Sequence, residues 1–271
     1  MLKIDLHSHS NFSFDARFSP EEMCLSAIEK GMSVLALTEH YDVMPAYEDI
    51  YYSERKDKRH AEMMHLKEKY GNQLTLLNAI ELGQPHTNMQ ACSRLIHKYN
   101  FDFVLASVHN LADGRDIYEI DYVTPEQCHE IMNHYLDEVI KMASLCDYDS
   151  IGHIDFPIRK MEKAYNGDVS KYDLRPFEAK IRKILEIIIQ RGKALEVNTR
   201  GLIVWHKEIC PSDWVLEMYK SMGGKYITIG SDSHWPDRLA LGNEEAMAKL
   251  KRCGFDYVTY YKDRKPVLME I

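Results

Sequence analysis

Short apolar runs alternate with longer amphipathic segments along most of the chain, and this alternation predicts the fold. Seven apolar runs of strand length begin at residues 2, 34, 74, 103, 150, 194 and 226. Each run is followed by a segment with helical periodicity. A strand that is repeatedly followed by a helix forms right-handed βαβ units around a parallel sheet. We therefore predict an α/β fold, a distorted (β/α)7 TIM-like barrel formed as a single domain by residues 1–271.

The helical segments carry clear start and stop signals. Ser19-Pro20-Glu21-Glu22 combines an N-cap, a proline at the first helical position and a capping-box glutamate, and Thr124-Pro125-Glu126-Gln127 repeats this pattern. The first of these helices should end at Gly31 and the second near Cys146. Other helices are predicted at residues 52–70, 89–99, 176–191, 213–222 and 243–253. Residues 256–261 could form an eighth, irregular strand.

Composition narrows the class of protein. A length of 271 residues suits a barrel, which commonly needs about 250 residues. The net charge of −8 argues against a nucleic-acid-coating or membrane-surface protein. The six cysteines show no C-x-x-C spacing, which predicts free, buried thiols in a reducing compartment. No signal peptide is recognisable and no apolar run approaches about 20 residues, so we expect a cytoplasmic protein.

Side chains that can bind metal stand at the ends of the predicted strands. His7 and His9 are two residues apart, so both project to the same side of a strand and can reach one ion. Asp232 and His234 repeat this spacing. The full set at strand ends is His7, His9, His40, Glu81, His109, His153, Asp232 and His234. Because one end of a parallel barrel gathers the ends of all its strands, this pattern predicts a polynuclear metal site at that end.

The other seven histidines serve as an internal comparison. His60, His65, His97, His129 and His134 fall within predicted helices, whereas His86 and His206 fall in loops. The helical pairs are five residues apart, which is poor spacing for shared coordination. We interpret these seven as ordinary polar or packed residues.

The order of the motifs resembles the polymerase-and-histidinol-phosphatase (PHP) superfamily over residues 1–240. The motifs are H-x-H followed by Asp15, then T-E-H, I-E-L-G, S-V-H, G-H-I-D and S-D-S-H. Within the superfamily the chain looks most like the histidinol-phosphate phosphatases, because of Gly152-His153-Ile154-Asp155 with Arg159 and of Leu195-Glu196-Val197-Asn198-Thr199-Arg200. The loop after T-E-H departs from the pattern, and no substrate contact is assigned to it.

The resemblance implies three divalent metal ions, which could be zinc, iron or manganese, held by nine ligands. His7, His9, Glu81 and Asp232 would bind the first ion. Glu81 would bridge to a second ion, which His109 and His153 complete, while Asp15, His40 and His234 would hold the third. Glu81, His153 and Asp232 are the implied catalytic residues. Asp5 and Glu39 would either orient imidazoles or form ordinary hydrogen bonds at the rim of the barrel.

The net charge of this site indicates which kind of substrate it would bind. Three divalent ions and three carboxylates leave a net positive cavity, which suits the dianion of a phosphate monoester. The resemblance implies hydrolysis of L-histidinol phosphate to L-histidinol by attack of a metal-bridging hydroxide. Arg159 and Arg200 are the candidate phosphate clamps, although either could be an ion-pairing or surface arginine.

Two further groups of residues are candidate substrate contacts. Asp113, Asp116, Glu119 and Asp121 could form an acidic wall for the amine and imidazole of the substrate, or only a solvated loop. Tyr47, Tyr51 and Tyr52 could line the mouth of the site or pack over the barrel.

Three other functions are compatible with part of this pattern. One is a PHP phosphoesterase for another ester or a nucleotide, although the acidic chain lacks the basic, aromatic groove of an enzyme that acts on nucleic-acid polymers. Another is a non-catalytic metal-binding or regulatory protein. The absence of some of the nine implied metal ligands would favour it, and none is absent. The third is an amidohydrolase, which commonly has a modified lysine at the end of the fourth strand, where this chain has Ser107-Val108-His109. The expected partner is a small phosphate monoester, with no nucleic acid or membrane, and the sequence leaves the oligomeric state open.

Overall fold

The computed structural model describes residues 2–43 and 53–271, and its centre is a ring of seven parallel strands. Neighbouring strands follow one another in sequence order. They are β1 (Ile4–Asp5), β2 (Val34–Asp42), β3 (Thr75–Gly83), β4 (Phe103–Ser107), β5 (Ser150–Ile151), β6 (Ala194–Asn198) and β7 (Ile227–Gly230). Between β1 and β7, Leu6 N donates to Ile229 O at 2.8 Å and Ser8 pairs with Ser233 in parallel register. The predicted α/β barrel is confirmed.

Burial of the strands explains their unbroken apolar sequences. Every residue of β4, β6 and β7 is buried. The strands of an all-parallel sheet are covered on both faces, so apolar residues do not alternate with polar ones. A charged residue within such a strand is therefore exceptional and needs a partner.

The helices lie between the strands, and their ends agree with the predicted ends within two residues wherever both are described. They are α1 (Pro20–Glu29), α2 (Ser53–Tyr70), α3 (Met89–Tyr99), α4 (Pro125–Leu145), α5 (Glu178–Gln190), α6 (Asp213–Ser221) and α7 (Asn243–Arg252). The Ser19 side chain accepts the N–H of Glu22 and the capping box is complete, while Thr124 accepts the N–H of Gln127. The predicted start of α2 at Tyr52 lies outside the described residues.

The C-terminal segment forms a hairpin instead of an eighth barrel strand. β8 (Tyr257–Lys262) pairs antiparallel with β9 (Lys265–Glu270) in a separate two-stranded sheet. The hairpin is held to the residues that precede β4 and β5, because Arg264 N donates to Asp102 O at 2.9 Å and Tyr261 Oη to Asp149 O at 3.1 Å. It therefore covers the amino end of the barrel, opposite to the predicted site. The eighth strand is present, but it pairs with β9 and does not join the barrel.

Two predictions from composition can be compared with the structure. All six cysteines lie within the described residues, and all are free and buried, as predicted. Within residues 2–43 and 53–271, no helix has the length and apolar character needed to cross a membrane.

Candidate metal centre

Ligand-capable side chains from six of the seven barrel strands meet at the carboxyl end of the barrel. His40, near the end of β2, is in register with Glu81 on β3. The other seven predicted ligands follow strand ends: His7, His9 and Asp15 after β1, His109 after β4, His153 after β5, and Asp232 and His234 after β7. Contacts among their side chains bring all nine predicted ligands together. The seven other histidines belong to none of the candidate metal-binding groups found among the described residues.

The Glu81 carboxylate lies at the centre of this cluster and is fully buried. Its Oε1 is 3.1 Å from His153 Nε2 and 3.2 Å from His109 Nε2. Its Oε2 is 3.2 Å from His7 Nε2 and 3.0 Å from His40 Nδ1. Oε1 therefore faces both histidines expected at the second ion, whereas Oε2 faces His40 and also His7 and, at 3.6 Å, His9, the two histidines expected at the first ion. A carboxylate that bridges two ions needs one oxygen directed towards each set of ligands.

Asp232 reaches the same cluster from the end of β7. Its Oδ1 is 3.5 Å from His9 Nε2 and 3.7 Å from His7 Nε2. The residue has a φ of 54°, a left-handed conformation that non-glycine residues seldom adopt. The backbone is fixed there because Asp232 N donates to His7 O at 2.7 Å. Strain of this kind, held by surrounding hydrogen bonds, is typical of functional sites.

A third group lies towards the outside of the cluster. Asp15 Oδ2 is 2.9 Å from His234 Nε2 and 3.6 Å from His40 Nε2. The ring of His9 packs against both of these imidazoles, with centroid distances of 4.2 Å to His40 and 4.4 Å to His234. His9 is therefore close to the third group as well as to the first.

Several buried polar atoms in the cluster have no hydrogen-bond partner among the described residues. They are Nε2 of His7, Nε2 of His9, Nδ1 of His40 and Oε2 of Glu81. A buried polar group without a partner costs about 1–3 kcal/mol, so a protein retains four of them together only if something binds there. Imidazole nitrogens and carboxylate oxygens are the ligands that zinc, iron and manganese accept. The residues present fit divalent metal ions.

Burial and neighbouring charges set the pKa of each imidazole when no metal is bound. Burial opposes a charge on His109, but Asp42 and Glu81 outweigh it and raise the pKa of His109 to about 10. For His9, burial and the neighbouring His40 and His234 lower the pKa to about 3. A metal ion must displace the proton from His109, so metal affinity should rise with pH.

The two carboxylates expected to orient imidazoles have different roles. Glu39 accepts hydrogen bonds from Ser13 Oγ at 2.6 Å and from Ser10 Oγ at 2.6 Å. Since Ser13 Oγ is 3.2 Å from His9 Nδ1, Glu39 acts on that imidazole through Ser13. Among the described residues, Asp5 has no hydrogen bond to an imidazole. It accepts the backbone N–H groups of Ser231 at 2.9 Å and of Ala240 at 2.8 Å, so it forms ordinary hydrogen bonds.

Two other carboxylates contact ligand histidines directly and were not assigned from the sequence. Asp42 Oδ1 is 2.7 Å from His109 Nδ1, and Glu196 Oε1 is 2.7 Å from His7 Nδ1. Both left a signal in the sequence. Asp42 is two residues after His40 on the same strand, and Glu196 is a charged residue inside an apolar strand.

The two candidate phosphate clamps are placed differently. Arg159 donates to Asp232 Oδ2 at 2.6 Å and to Asn198 Oδ1 at 2.9 Å, so its guanidinium is already engaged in a buried ion pair. Arg200 donates to the backbone oxygen of Asp232 at 3.1 Å, and its guanidinium lies over the ring of Trp235 at 5.9 Å from the centroid. Arg200 therefore keeps donors for an anion at the metal centre, whereas Arg159 holds Asp232.

The acidic loop after β4 carries ion pairs at the surface. Asp113 pairs with Arg115 at 2.8 Å and Asp121 with Lys163 at 2.9 Å, and all four side chains are exposed. Asp113 and Asp121 therefore belong to a solvated surface loop, the second of the two roles considered from the sequence. The tyrosines considered for the mouth, Tyr47, Tyr51 and Tyr52, lie outside the described residues.

Comparison with known proteins agrees with this geometry. Residues 5–200 match the PHP domain family. The chain belongs to the PHP domain family. A protein of Clostridium acetobutylicum named "Probable histidinol-phosphatase" is 28% identical over 96% of this chain and 98% of its own length. One of the same name from Thermotoga maritima is 27% identical over 94% of each.

A solved structure of a PHP relative extends the similarity to three dimensions. It is a histidinol phosphate phosphatase from Lactococcus lactis in complex with zinc, L-histidinol and phosphate. It matches with a TM-score of 0.83 and 26% sequence identity, covering 98% of both chains. The barrel described above thus belongs to a fold that this chain shares with that enzyme along nearly its whole length.

Proposed function

We propose that this PHP protein is a metal-dependent phosphatase that hydrolyses L-histidinol phosphate to L-histidinol and phosphate. The observation that carries the proposal is the convergence of eight candidate metal ligands, with Asp15 in contact with two of them (His40 and His234), beside the half-buried guanidinium of Arg200. The similarity to the Lactococcus lactis enzyme, whose crystals contain zinc, L-histidinol and phosphate, supports the choice of substrate. The free thiols of all six cysteines suit a cytoplasmic location, which is part of the proposal.

Three divalent ions are proposed for the site. His7, His9, Glu81 and Asp232 would hold the first, Glu81, His109 and His153 the second, and Asp15, His40 and His234 the third. When bound, such ions supply positive charge and a hydroxide nucleophile at neutral pH. Imidazole and carboxylate ligands suit zinc, iron and manganese alike.

The protein residues position these ligands and the phosphate. Glu81, His153 and Asp232 are the proposed catalytic residues. Ser107 Oγ donates to Glu81 Oε1 at 2.6 Å and fixes the orientation of that carboxylate. Arg159 holds Asp232 through its ion pair, and Arg200 would donate to the phosphate oxygens, where charge-assisted bonds are strong.

Exposed aromatic side chains next to the site suit a substrate with a planar ring. Phe14 is 60% exposed and stacks on His40 at 5.3 Å, and Trp235 is 38% exposed beside His234 at 6.1 Å. Tyr118, which is 48% exposed, lies 6.4 Å from Phe156, itself in contact with the ring of His153. Rings at such positions can stack on an imidazole without blocking the metals.

The proposal is tested by comparing phosphate release from several esters by the metal-loaded enzyme. The panel contains L-histidinol phosphate, sugar phosphates, nucleotides and the diester bis(4-nitrophenyl) phosphate. We expect the highest kcat/KM with L-histidinol phosphate, because the positive site favours a dianion and the aromatic rim favours an imidazole. A higher kcat/KM for a nucleotide or for the diester would contradict the substrate assignment and leave the phosphoesterase class intact.

A further inference from the structure

Asp42 and Glu196 occupy equivalent positions relative to two different metal groups. Each places a carboxylate oxygen 2.7 Å from the Nδ1 of one ligand histidine, Asp42 at His109 and Glu196 at His7. A carboxylate at that distance accepts the Nδ1–H, so in the neutral imidazole that binds a metal the lone pair is on Nε2. In both histidines Nε2 faces Glu81, at 3.2 Å from its nearer oxygen.

The Glu196 carboxylate also reaches the second metal group through its other oxygen. Oε2 accepts the backbone N–H of His153 at 2.7 Å and the side-chain amide of Asn198 at 3.1 Å. Glu196 is 2% exposed, so its carboxylate loses its hydrating water on folding, and these hydrogen-bond donors compensate for that loss. One side chain thus fixes the ring of His7 and the backbone of His153, on either side of Glu81.

A glycine on a neighbouring strand makes room for each of the two carboxylates. A Cβ added to Gly83 of β3 would lie 1.7 Å from Asp42 Oδ1 and 2.7 Å from its Cγ. A Cβ added to Gly230 at the end of β7 would lie 2.3 Å from His7 Cβ and 2.4 Å from Glu196 Oε1. No side chain larger than hydrogen fits beside either carboxylate without displacing it.

We propose that Asp42 and Glu196 are positioning residues, each of which fixes the tautomer and orientation of one histidine in the Glu81-centred pair of metal sites, in a slot kept open by Gly83 or Gly230. The inference rests on the proposed metal centre and is independent of which phosphate ester is hydrolysed. Carboxylates that orient metal-binding histidines typically contribute 10–100-fold to metal affinity. Two other histidines of the cluster have no carboxylate at Nδ1. His153 Nδ1 has no hydrogen-bond partner among the described residues, and His9 Nδ1 faces the hydroxyl group of Ser13.

The test measures metal binding without any substrate. Glu196→Gln and Asp42→Asn keep size and remove charge, and Zn²⁺ affinity is measured by competition with a chromogenic chelator. We expect each variant to lose about 10–100-fold in affinity for at least one Zn²⁺ ion. The visible absorption of the Co²⁺-substituted protein should also change, because it depends on ligand orientation. Asp42 lies at the partly exposed end of β2, so Asp42→Asn remains informative if Glu196→Gln does not fold.

Glu138→Gln is the matched control. Glu138 is a buried glutamate paired at 2.8 Å with His86, whose side chain is 6% exposed, and it is outside the candidate metal-binding groups of the described residues. Its substitution should leave Zn²⁺ affinity and the Co²⁺ spectrum unchanged. Equal losses in Glu138→Gln and Glu196→Gln would show a general stability effect and overturn the assignment, as would wild-type Zn²⁺ binding and Co²⁺ spectra in both Asp42→Asn and Glu196→Gln.

A double-mutant cycle tests the glycine slot separately. Gly83→Ala should weaken Zn²⁺ binding to a similar extent as Asp42→Ala, because its methyl group displaces the carboxylate. The double variant should bind no more weakly than Asp42→Ala alone, since the carboxylate that clashes is absent and the remaining neighbour, His109 Nδ1, is 3.1 Å from the added Cβ, a distance that a small shift relieves. Additive losses would contradict the slot, because they would show that Gly83 acts independently of Asp42.

Discussion

Replacement of Glu81 by glutamine should reduce kcat for L-histidinol phosphate by about three orders of magnitude or more, equivalent to about 4 kcal/mol of transition-state stabilisation. The carboxylate lies between two pairs of imidazoles, with its oxygens 3.0–3.2 Å from their nitrogens. An amide carries no charge and has a single oxygen, so it cannot bridge two ions. The measurement is steady-state phosphate release together with the metal content of each variant.

His65→Ala is the control for this substitution. His65 is exposed on α2, outside every candidate metal-binding group of the described residues, and its removal should leave kcat unchanged. Near-normal turnover by Glu81→Gln at full metal occupancy would show that the bridge has been assigned to the wrong residue.

Replacement of Arg200 by alanine should have the second largest effect, mainly on kcat/KM. Loss of a charge-assisted contact to the phosphate costs about 2–4 kcal/mol, or about 30–1000-fold in rate. Arg200→Lys should recover part of this loss, because an ammonium carries the charge but lacks the planar fork. Steady-state kinetics with L-histidinol phosphate measures both effects.

Arg182→Ala provides the comparison for a lost surface cation. Arg182 pairs with Glu178 on the exposed side of α5, at 3.0 Å, so its removal should leave kcat/KM unchanged. If Arg200→Ala also had wild-type kcat/KM at full metal loading, Arg200 would not be the phosphate clamp.

The barrel could be predicted because each strand and helix carries a local signal. The strands appear in the sequence as apolar runs separated by helical segments. Capping residues such as Ser19 and Thr124 mark where helices begin. The C-terminal hairpin lacked such a signal. Its two turn residues, Asp263 and Arg264, both have positive φ, which is the conformation of a turn that usually carries asparagine and glycine. Arginine at that position gives no indication of a turn.

The ligands of the candidate site were predictable, whereas the residues that orient them were harder to assign. Histidines at strand ends share a spacing that is visible in the sequence. The contact of Glu196 with His7 joins residues 189 positions apart, and its register depends on how β6 packs against β5 and β7. The role of Arg159 depends likewise on tertiary structure, since its ion pair with Asp232 spans 73 positions.

The central claim is that a cluster of three divalent ions hydrolyses L-histidinol phosphate, and a metal titration tests it most directly. Metal-free protein is titrated with Zn²⁺, Mn²⁺ or Fe²⁺ while phosphate release from L-histidinol phosphate is followed. For at least one of these metals, we predict no release without metal and a rate that rises until three equivalents per chain have bound. Phosphate release by the metal-free protein would contradict the account. So would a rate of release that already reaches its maximum at one equivalent of metal per chain.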